Sequence, residues 1–138
     1  MHAADRHLLH EALRDLPGPV TLVYYAPDVE SWQVRAERDL LETVARASAR
    51  VTLEVRAGRW DAAREAAVGI RRTPALAVVG EKDPGIRYYG VPDGYELEPF
   101  LGLLRAVAEG RSGLGEDARR VLRDLSRPAH LEVLASPT

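Results

Sequence analysis

The chain has 138 residues, 46% of them hydrophobic, and a net charge of −2, which is typical of one globular domain or slightly more. The balanced charge argues against a nucleic-acid surface, and no apolar run approaches the ~20 residues that a membrane helix needs. The N-terminal stretch MHAADRHLLHEALRDL is charged throughout and does not resemble a secretory signal. We therefore expect a cytoplasmic protein that binds neither nucleic acid nor membrane.

Cysteine is absent from the chain. Its absence excludes disulfides, thiolate catalysis and Cys-ligated zinc. Asparagine is also absent, Gln33 is the single glutamine and Lys82 is the single lysine, so arginine supplies nearly all the positive charge. This depletion of heat-labile side chains is typical of a heat-adapted source (a thermophile), and a GC-rich genome produces the same bias towards arginine and alanine.

Periodicity and turn residues predict eight elements before about residue 110, in the order α, β, α, β, α, β, β, α. Helices are expected at 4–16, 30–47, 59–68 and from the Pro92–Gly94 turn to about Gly110, and strands at 20–25, 51–55, 72–80 and 85–90. The first strand, VTLVYY, is apolar with β-branched and aromatic residues, which is typical of a buried strand. Helix 30–47 is predicted from apolar residues at helical spacing, which are Trp32, Ala36, Leu40, Leu41, Val44 and Ala47.

The connections between these elements predict the topology. A helix joins the first two strands, so we expect a right-handed crossover and a parallel pair. The turn residues Gly80, Asp83, Pro84 and Gly85 separate the last two strands, which predicts a hairpin. The sequence therefore predicts an α/β fold with a mixed four-stranded sheet flanked by helices.

Residues 111–138 lie outside this unit and repeat its beginning. The segment 13–26 (LRDLPGPVTLVYYA) aligns without a gap with 122–135 (LRDLSRPAHLEVLA), and seven of the fourteen positions are identical. A repeat with an offset of 109 residues (122 − 13) indicates tandem domains rather than a solenoid. We expect a unit at 1–110, then a linker helix and the first strand, 130–134, of an incomplete second unit at 111–138.

Five stretches together resemble the N-terminal unit of the protein disulfide oxidoreductases, a glutaredoxin-like family with tandem thioredoxin folds. These stretches are PVTLVYY, LLETVARASARVTLEV, RRTPAL, GIRYYGVPDGYELEPFL and LSRPAHLEVLASPT. The same pattern is similar to the N-terminal domain of the flavoprotein subunit of alkyl hydroperoxide reductase. The resemblance implies a thioredoxin-like fold with a cis bond before Pro74, a type of bond that is uncommon and usually purposeful.

The resemblance also implies where a redox site would lie. The C-x-x-C of the family falls on Ser31, Trp32, Gln33 and Val34, with Ser31 in the place of the attacking cysteine and Val34 in that of the resolving one. Thiol–disulfide exchange needs a thiolate and a second sulfur, so this degenerate active site is expected to be redox-inactive, with no catalytic residue and no cofactor. In the family the second unit carries its own C-x-x-C, which would lie beyond residue 138.

Ser31 has two interpretations. As a nucleophile it would use the helix N-terminus, which favours an anion, but it would need a base, and no histidine lies near it in the sequence. As an N-cap it would satisfy the first helical N–H groups, a position where serine is a preferred residue and for which Asp28 is the other candidate. The residue pattern favours the cap.

Trp32, Thr73 and Pro74 are the candidate residues for binding a substrate or peptide. In active thioredoxins the backbone before the cis proline pairs with the substrate as a short strand, and Thr73 would offer that backbone here. Trp32 would anchor a peptide in this groove, or would instead cover the gap left by the missing cysteines. Arg71 and Arg72 would attract an acidic peptide or phosphate, or would lie in a solvated loop.

Two further sets of residues point to no additional site. His7 and His10, with Glu11, supply fewer convergent ligands than a metal site needs, so no bound metal is expected. Tyr88 and Tyr89 are expected to be packing residues.

Two functions follow from this reading. The first is a redox-inactive N-terminal half of a disulfide oxidoreductase that scaffolds a catalytic half and serves cell redox homeostasis. The alternative is a stand-alone module that binds a protein or peptide at the groove formed by Trp32, Thr73 and Pro74. An unpaired strand at 130–134 would invite a homodimer. A serine-dependent hydrolase would rest on Ser31 alone.

Overall fold

The structure, a computed structural model, describes residues 3–58, 61–90 and 92–135. The helices are α1 (Ala3–Leu13), α2 (Trp32–Arg46), α3 (Ala62–Val68), α4 (Leu97–Glu109, preceded by a 3₁₀ turn at Gly94–Glu96) and α5 (Glu116–Arg123), and the strands are β1 (Val20–Tyr25), β2 (Val51–Arg56), β3 (Ala75–Val79) and β4 (Ile86–Tyr88). The predicted order of elements is confirmed, and the start of the predicted helix 59–68 lies outside the described residues. Within the described ranges, no helix has the length and apolar character that crossing a membrane requires.

The four strands form one mixed sheet in the order β2-β1-β3-β4. Strands β1 and β2 are parallel, whereas β3 is antiparallel to both β1 and β4, so the predicted crossover pair and hairpin are confirmed. Tyr25, the last residue of β1, pairs with Ala75, the first residue of β3. The loop after β1 and the loop before β3 therefore lie at the same end of the sheet.

Strand β1 is buried on both faces of the sheet. Val20, Leu22 and Tyr24 face the larger core, to which α1, α2 and α4 contribute. Val23 and Tyr25 face a smaller core on the other side of the sheet. Successive side chains of a strand point to opposite faces, so the continuous apolar run of β1 is what a strand covered on both sides requires.

Helix α4 approaches the backbone closely at two glycines. A Cβ on Gly18 would lie 2.6 Å from the carbonyl oxygen of Ala108, and a Cβ on Gly80 would lie 2.9 Å from that of Val107. The helix ends at Gly110, whose φ of 62° is left-handed, a conformation that glycine adopts without steric cost. Glycine at these positions lets α4 lie against the chain segments that lead into β1 and out of β3.

The buried face of α2 includes one charged residue. Its buried residues are Val34, Glu37, Leu41 and Val44. Trp32 is 74% exposed and Ala36 is also exposed, so these two members of the apolar set lie outside the buried face. Glu37 is buried although it is charged, which the apolar spacing alone does not reveal.

The predicted strand at 130–134 is absent from the described part of the chain, where residues 129–135 follow α5 without regular structure. Leu131, Val133 and Leu134 are between 88% and 95% exposed. A strand needs a neighbouring strand to bond with, and none of the four described strands pairs with this segment. The predicted strand is therefore not formed in the described chain, whereas the predicted linker helix is present as α5.

Replacing Gly18 with alanine should lower the free energy of unfolding by about 1–3 kcal/mol, because the new methyl group would meet the Ala108 carbonyl. Gly102→Ala is the matched control: its Cβ has no neighbour within 4 Å, and alanine in a helix interior should add about 0.5–1 kcal/mol. Urea denaturation measures both. Equal stabilities of the two variants would contradict the close approach of α4 at Gly18.

Candidate functional site

Ser31 begins helix α2 as its N-cap. Its backbone is extended (φ −119°, ψ 169°), and its Oγ accepts a hydrogen bond from the N–H of Val34 at 3.2 Å. Its carbonyl oxygen accepts the first helical bond, from the N–H of Arg35 at 3.1 Å. The cap is therefore Ser31 and not Asp28, and the hydrogen bond joins the two residues on which the cysteines of the family's C-x-x-C are predicted to fall.

The Thr73–Pro74 peptide bond is cis and immediately precedes β3. The pairing of β1 with β3 puts this bond at the end of the sheet where α2 begins with Trp32. The Trp32 indole is largely exposed and covers little of the junction. Thr73 is half-buried and lies outside the strand ladder, and in the described part of the chain neither its N–H nor its C=O makes a loop hydrogen bond with another backbone group.

Three contacts hold the loop that leads to this bond, residues 69–73, and the last residue of α3 before it. Ile70 is 1% exposed and packs into the smaller core. The N–H of Arg71 donates to the Tyr89 hydroxyl at 3.1 Å, and Arg87 Nε donates to the carbonyl of Val68 at 2.8 Å. These contacts hold the backbone of the loop in place and leave the arginine side chains directed outward.

The two arginines of this loop meet an aromatic ring and a carboxylate. The Arg72 guanidinium lies over the Tyr89 ring, 4.8 Å from its centroid. Arg71 Nη1 lies 3.1 Å from Oε1 of Glu132, and His130 Nε2 lies 2.9 Å from the same oxygen. The hydrogen bond and charge of His130, followed by the charge of Arg71, hold the pKa of Glu132 below its ordinary value. The tail after α5 thus reaches back to the loop.

Glu37 is a buried carboxyl that the sequence reasoning missed. It is 1% exposed, and the Tyr24 hydroxyl donates to its Oε2 at 3.0 Å. Its Oε1 is buried and has no hydrogen-bond partner among the described residues. Burial raises the pKa of Glu37 to about 7, although the hydrogen bond from Tyr24 opposes this. A signal was present: Glu37 follows Val34 by three residues and precedes Leu41 by four, the spacing of one helical face.

Tyr88 and Glu96 form a second hydrogen-bonded pair of a phenol and a carboxylate. The Tyr88 hydroxyl donates to Glu96, and the Tyr88 ring packs edge-on against Phe100 with centroids 5.8 Å apart. Burial raises the pKa of Tyr88, and the hydrogen bond and charge of Glu96 and then the charge of Glu37 add to the effect. Tyr88 is thus a packing residue, as predicted, whose hydroxyl is satisfied by a carboxylate.

The start of α2 carries no sulfur. Ser31 and Val34, on which the C-x-x-C of the family is predicted to fall, supply a hydroxyl that serves as a cap and an apolar side chain that is 5% exposed. Among the described residues, no group of three or more histidines and carboxylates is arranged to hold a metal ion. His7 and His10 of α1 are accordingly not part of a metal cluster in the described chain. The other groups at this end of the sheet are the exposed indole, the backbone before the cis bond and two guanidinium groups.

The sheet order, the covering helices and the cis proline at the start of β3 define a thioredoxin-like fold. A solved protein disulfide oxidoreductase from Aeropyrum pernix K1 matches with a TM-score of 0.76 and 20% identity over 90% of this chain and 55% of that one. The alkylhydroperoxide reductase AhpF of Enterococcus faecalis, in its C503A mutant, matches with a TM-score of 0.73 and 19% identity over 91% of this chain and 61% of that one.

The NTD_N/C domain of the same Enterococcus faecalis protein matches with a TM-score of 0.70 and 19% identity, over 87% of this chain and 58% of that one. The chain thus spans little more than half the length of these solved chains. No protein-family model and no curated protein matches the sequence. At this level of identity the comparison establishes a common fold.

Glu37→Gln should remove a pH-dependent part of the stability. The pKa of Glu37 is about 7 in the folded chain, against an ordinary value of 4.5. The folded state holds this proton more tightly, so the stabilisation is full below about pH 4.5 and is lost as the pH rises through about 7. In urea denaturation, the unfolding free energy of the native chain relative to the variant should fall by about 2–3 kcal/mol from about pH 5 to about pH 8.

The exposed Glu98 provides the control for this experiment. Glu98→Gln removes a carboxyl without altering the Glu37–Tyr24 pair, so the fall in unfolding free energy from about pH 5 to about pH 8 should persist in it. Tyr24→Phe, which deletes the hydrogen bond that stabilises the charged carboxylate, should move the loss of stability to higher pH. A Glu37→Gln profile that follows the native one would mean that Glu37 titrates normally.

Proposed function

We propose that this chain is the redox-inactive first unit of a two-unit thiol–disulfide oxidoreductase that serves cell redox homeostasis in the cytoplasm. The observation that carries the proposal is the pair Ser31 and Val34, which occupies the strand-to-helix junction of a thioredoxin-like fold at the sheet end that bears the cis Thr73–Pro74 bond. Neither side chain can form or resolve a mixed disulfide. The unit would position a catalytic half and hold its substrate at the Thr73 backbone.

The internal repeat supports a second unit. Leu13 and Leu22 are fully buried in the larger core, whereas their repeat counterparts Leu122 and Leu131 are 50% and 88% exposed. The exposed apolar side chains of the tail are therefore those that a complete thioredoxin-like unit buries. We propose that residues 111–138 open such a unit, whose remaining strands and helices would cover them.

The native chain should show no turnover in an insulin-reduction assay above the dithiothreitol background. The double variant Ser31→Cys/Val34→Cys should form one intramolecular disulfide and gain turnover, because a thiol at the start of α2 has its pKa lowered by the helix N-terminus. The single variant Ser31→Cys, which lacks the resolving sulfur, serves as the control. Turnover by the native chain would refute the proposal of a redox-inactive unit.

The exposure of Trp32 favours a second candidate, a module that binds a protein or peptide by itself. An indole that is 74% exposed, at the end of the sheet that bears the cis Thr73–Pro74 bond, has the character of an aromatic anchor. In this alternative the Thr73 backbone pairs with an extended peptide, and the Trp32 ring packs on its side chains. A homodimer through residues 130–134 remains a further prediction, which size measurements in solution would test.

Trp32→Ala should weaken the binding of fluorescein-labelled, carboxymethylated insulin B chain at least about fivefold, because an exposed aromatic anchor commonly contributes more than 1 kcal/mol. Leu114→Ala is the control, since Leu114 is exposed and follows the C-terminal end of α4, which packs against Gly18 and Gly80 at the opposite end of the sheet. Fluorescence anisotropy measures both. Unchanged binding by Trp32→Ala would leave a scaffold role and exclude the anchor.

A further inference from the structure

We propose that Arg71 and Arg72 form a carboxylate-binding site that makes the Thr73 groove selective for acidic peptides, and that Glu132 of the chain's own tail occupies this site when no peptide is bound. The inference rests on the proposed peptide-binding role of the groove and adds the chemical class of its ligand. The role given to Glu132 belongs to the stand-alone module, because in the proposed two-unit protein residues 130–134 would form a strand of the second unit.

Tyr89 positions Arg71 through its backbone and Arg72 through its side chain. The Tyr89 hydroxyl accepts from the Arg71 N–H, and its ring carries the Arg72 guanidinium on one face. Tyr89 itself packs against the smaller core. A guanidinium that stacks on an aromatic ring keeps its N–H donors available at its edge. The Arg72 guanidinium is therefore held in place, and the Arg71 side chain extends from a fixed backbone next to it.

The site lies next to the backbone that a peptide would use. Arg72 directly precedes Thr73, whose N–H and C=O make no loop hydrogen bond with another backbone group in the described chain. A peptide strand advances about 3.3 Å per residue. A strand bonded to the Thr73 backbone would thus bring one of its side chains to the two guanidinium groups within one or two residues. An aspartate or glutamate at that position would meet two cations.

Glu132 demonstrates that the site accepts a carboxylate. Its Oε1 is 3.1 Å from Arg71 Nη1, and the charges of both Arg71 and Arg72 act on the Glu132 carboxyl group. The side chains of Arg71 and Glu132 are 71% and 62% exposed, so water weakens their ion pair. The tether raises the effective concentration of Glu132, yet a peptide that adds main-chain hydrogen bonds can displace it. The tail is therefore a weak, reversible occupant.

The test is an NMR titration of the full ¹⁵N-labelled chain with the tail peptide AHLEVLA and with its neutral analogue AHLQVLA. The Glu132→Gln chain should bind the glutamate peptide about two- to fivefold more tightly than the native chain, because its own tail no longer competes. The Glu132→Gln chain should bind the glutamine peptide about two- to fivefold more weakly than it binds the glutamate peptide. Amide shifts should centre on Arg71, Arg72 and Thr73, and raising the salt should reduce the preference for glutamate.

The double variant Arg71→Gln/Arg72→Gln should bind both peptides equally. Its control, Arg50→Gln/Arg111→Gln, removes the same charge from exposed residues away from the loop and the tail and should keep the preference for glutamate. Equal binding of the two peptides by every chain, with shifts at Thr73, would overturn the acidic selectivity and leave the groove intact. Shifts at neither Thr73 nor the arginines would overturn both the selectivity and the peptide-binding groove.

Discussion

Strand β1 is the constraint on which the rest of the structure depends, because both its edges and both its faces are in use. It pairs with β2 on one side and with β3 on the other, and its alternate side chains fill the two cores. A shift of one residue in its pairing would turn Tyr24 out of the larger core and away from Glu37. The same pairing brings the start of α2 and the cis bond before β3 to one end of the sheet.

The parts of the fold that the sequence predicts well are those encoded locally. Strand β1 occupies the predicted residues 20–25, because a run of six apolar, β-branched or aromatic residues between turn signals permits little else. The strand expected at 130–134 has a related sequence and yet no strand structure in the described chain. Strand formation is a property of a pair, so a single segment cannot encode it without a partner.

The candidate site was predictable where it depends on chain connectivity and not where it depends on distant contacts. Ser31 begins the helix that follows β1, and the Thr73–Pro74 bond immediately precedes β3. The positions of both therefore follow from the order of elements. The burial of Glu37 was not predicted because charged residues usually face solvent, and because its partner Tyr24 lies on the sheet across the core. The contact of Arg71 with Glu132 joins residues that are 61 positions apart, and no local sequence pattern predicts it.

The absence of sulfur at Ser31 and Val34 has a consequence for how long any bound polypeptide stays. A thioredoxin-like unit with cysteines can trap its substrate covalently, and the lifetime of that complex follows the resolving step and the redox potential of the compartment. A polypeptide bound at the proposed groove of this chain would be held by noncovalent contacts, so its residence time would be set by the dissociation rate alone. Oxidants and reductants that act on a sulfur-bearing unit would leave that residence time unchanged.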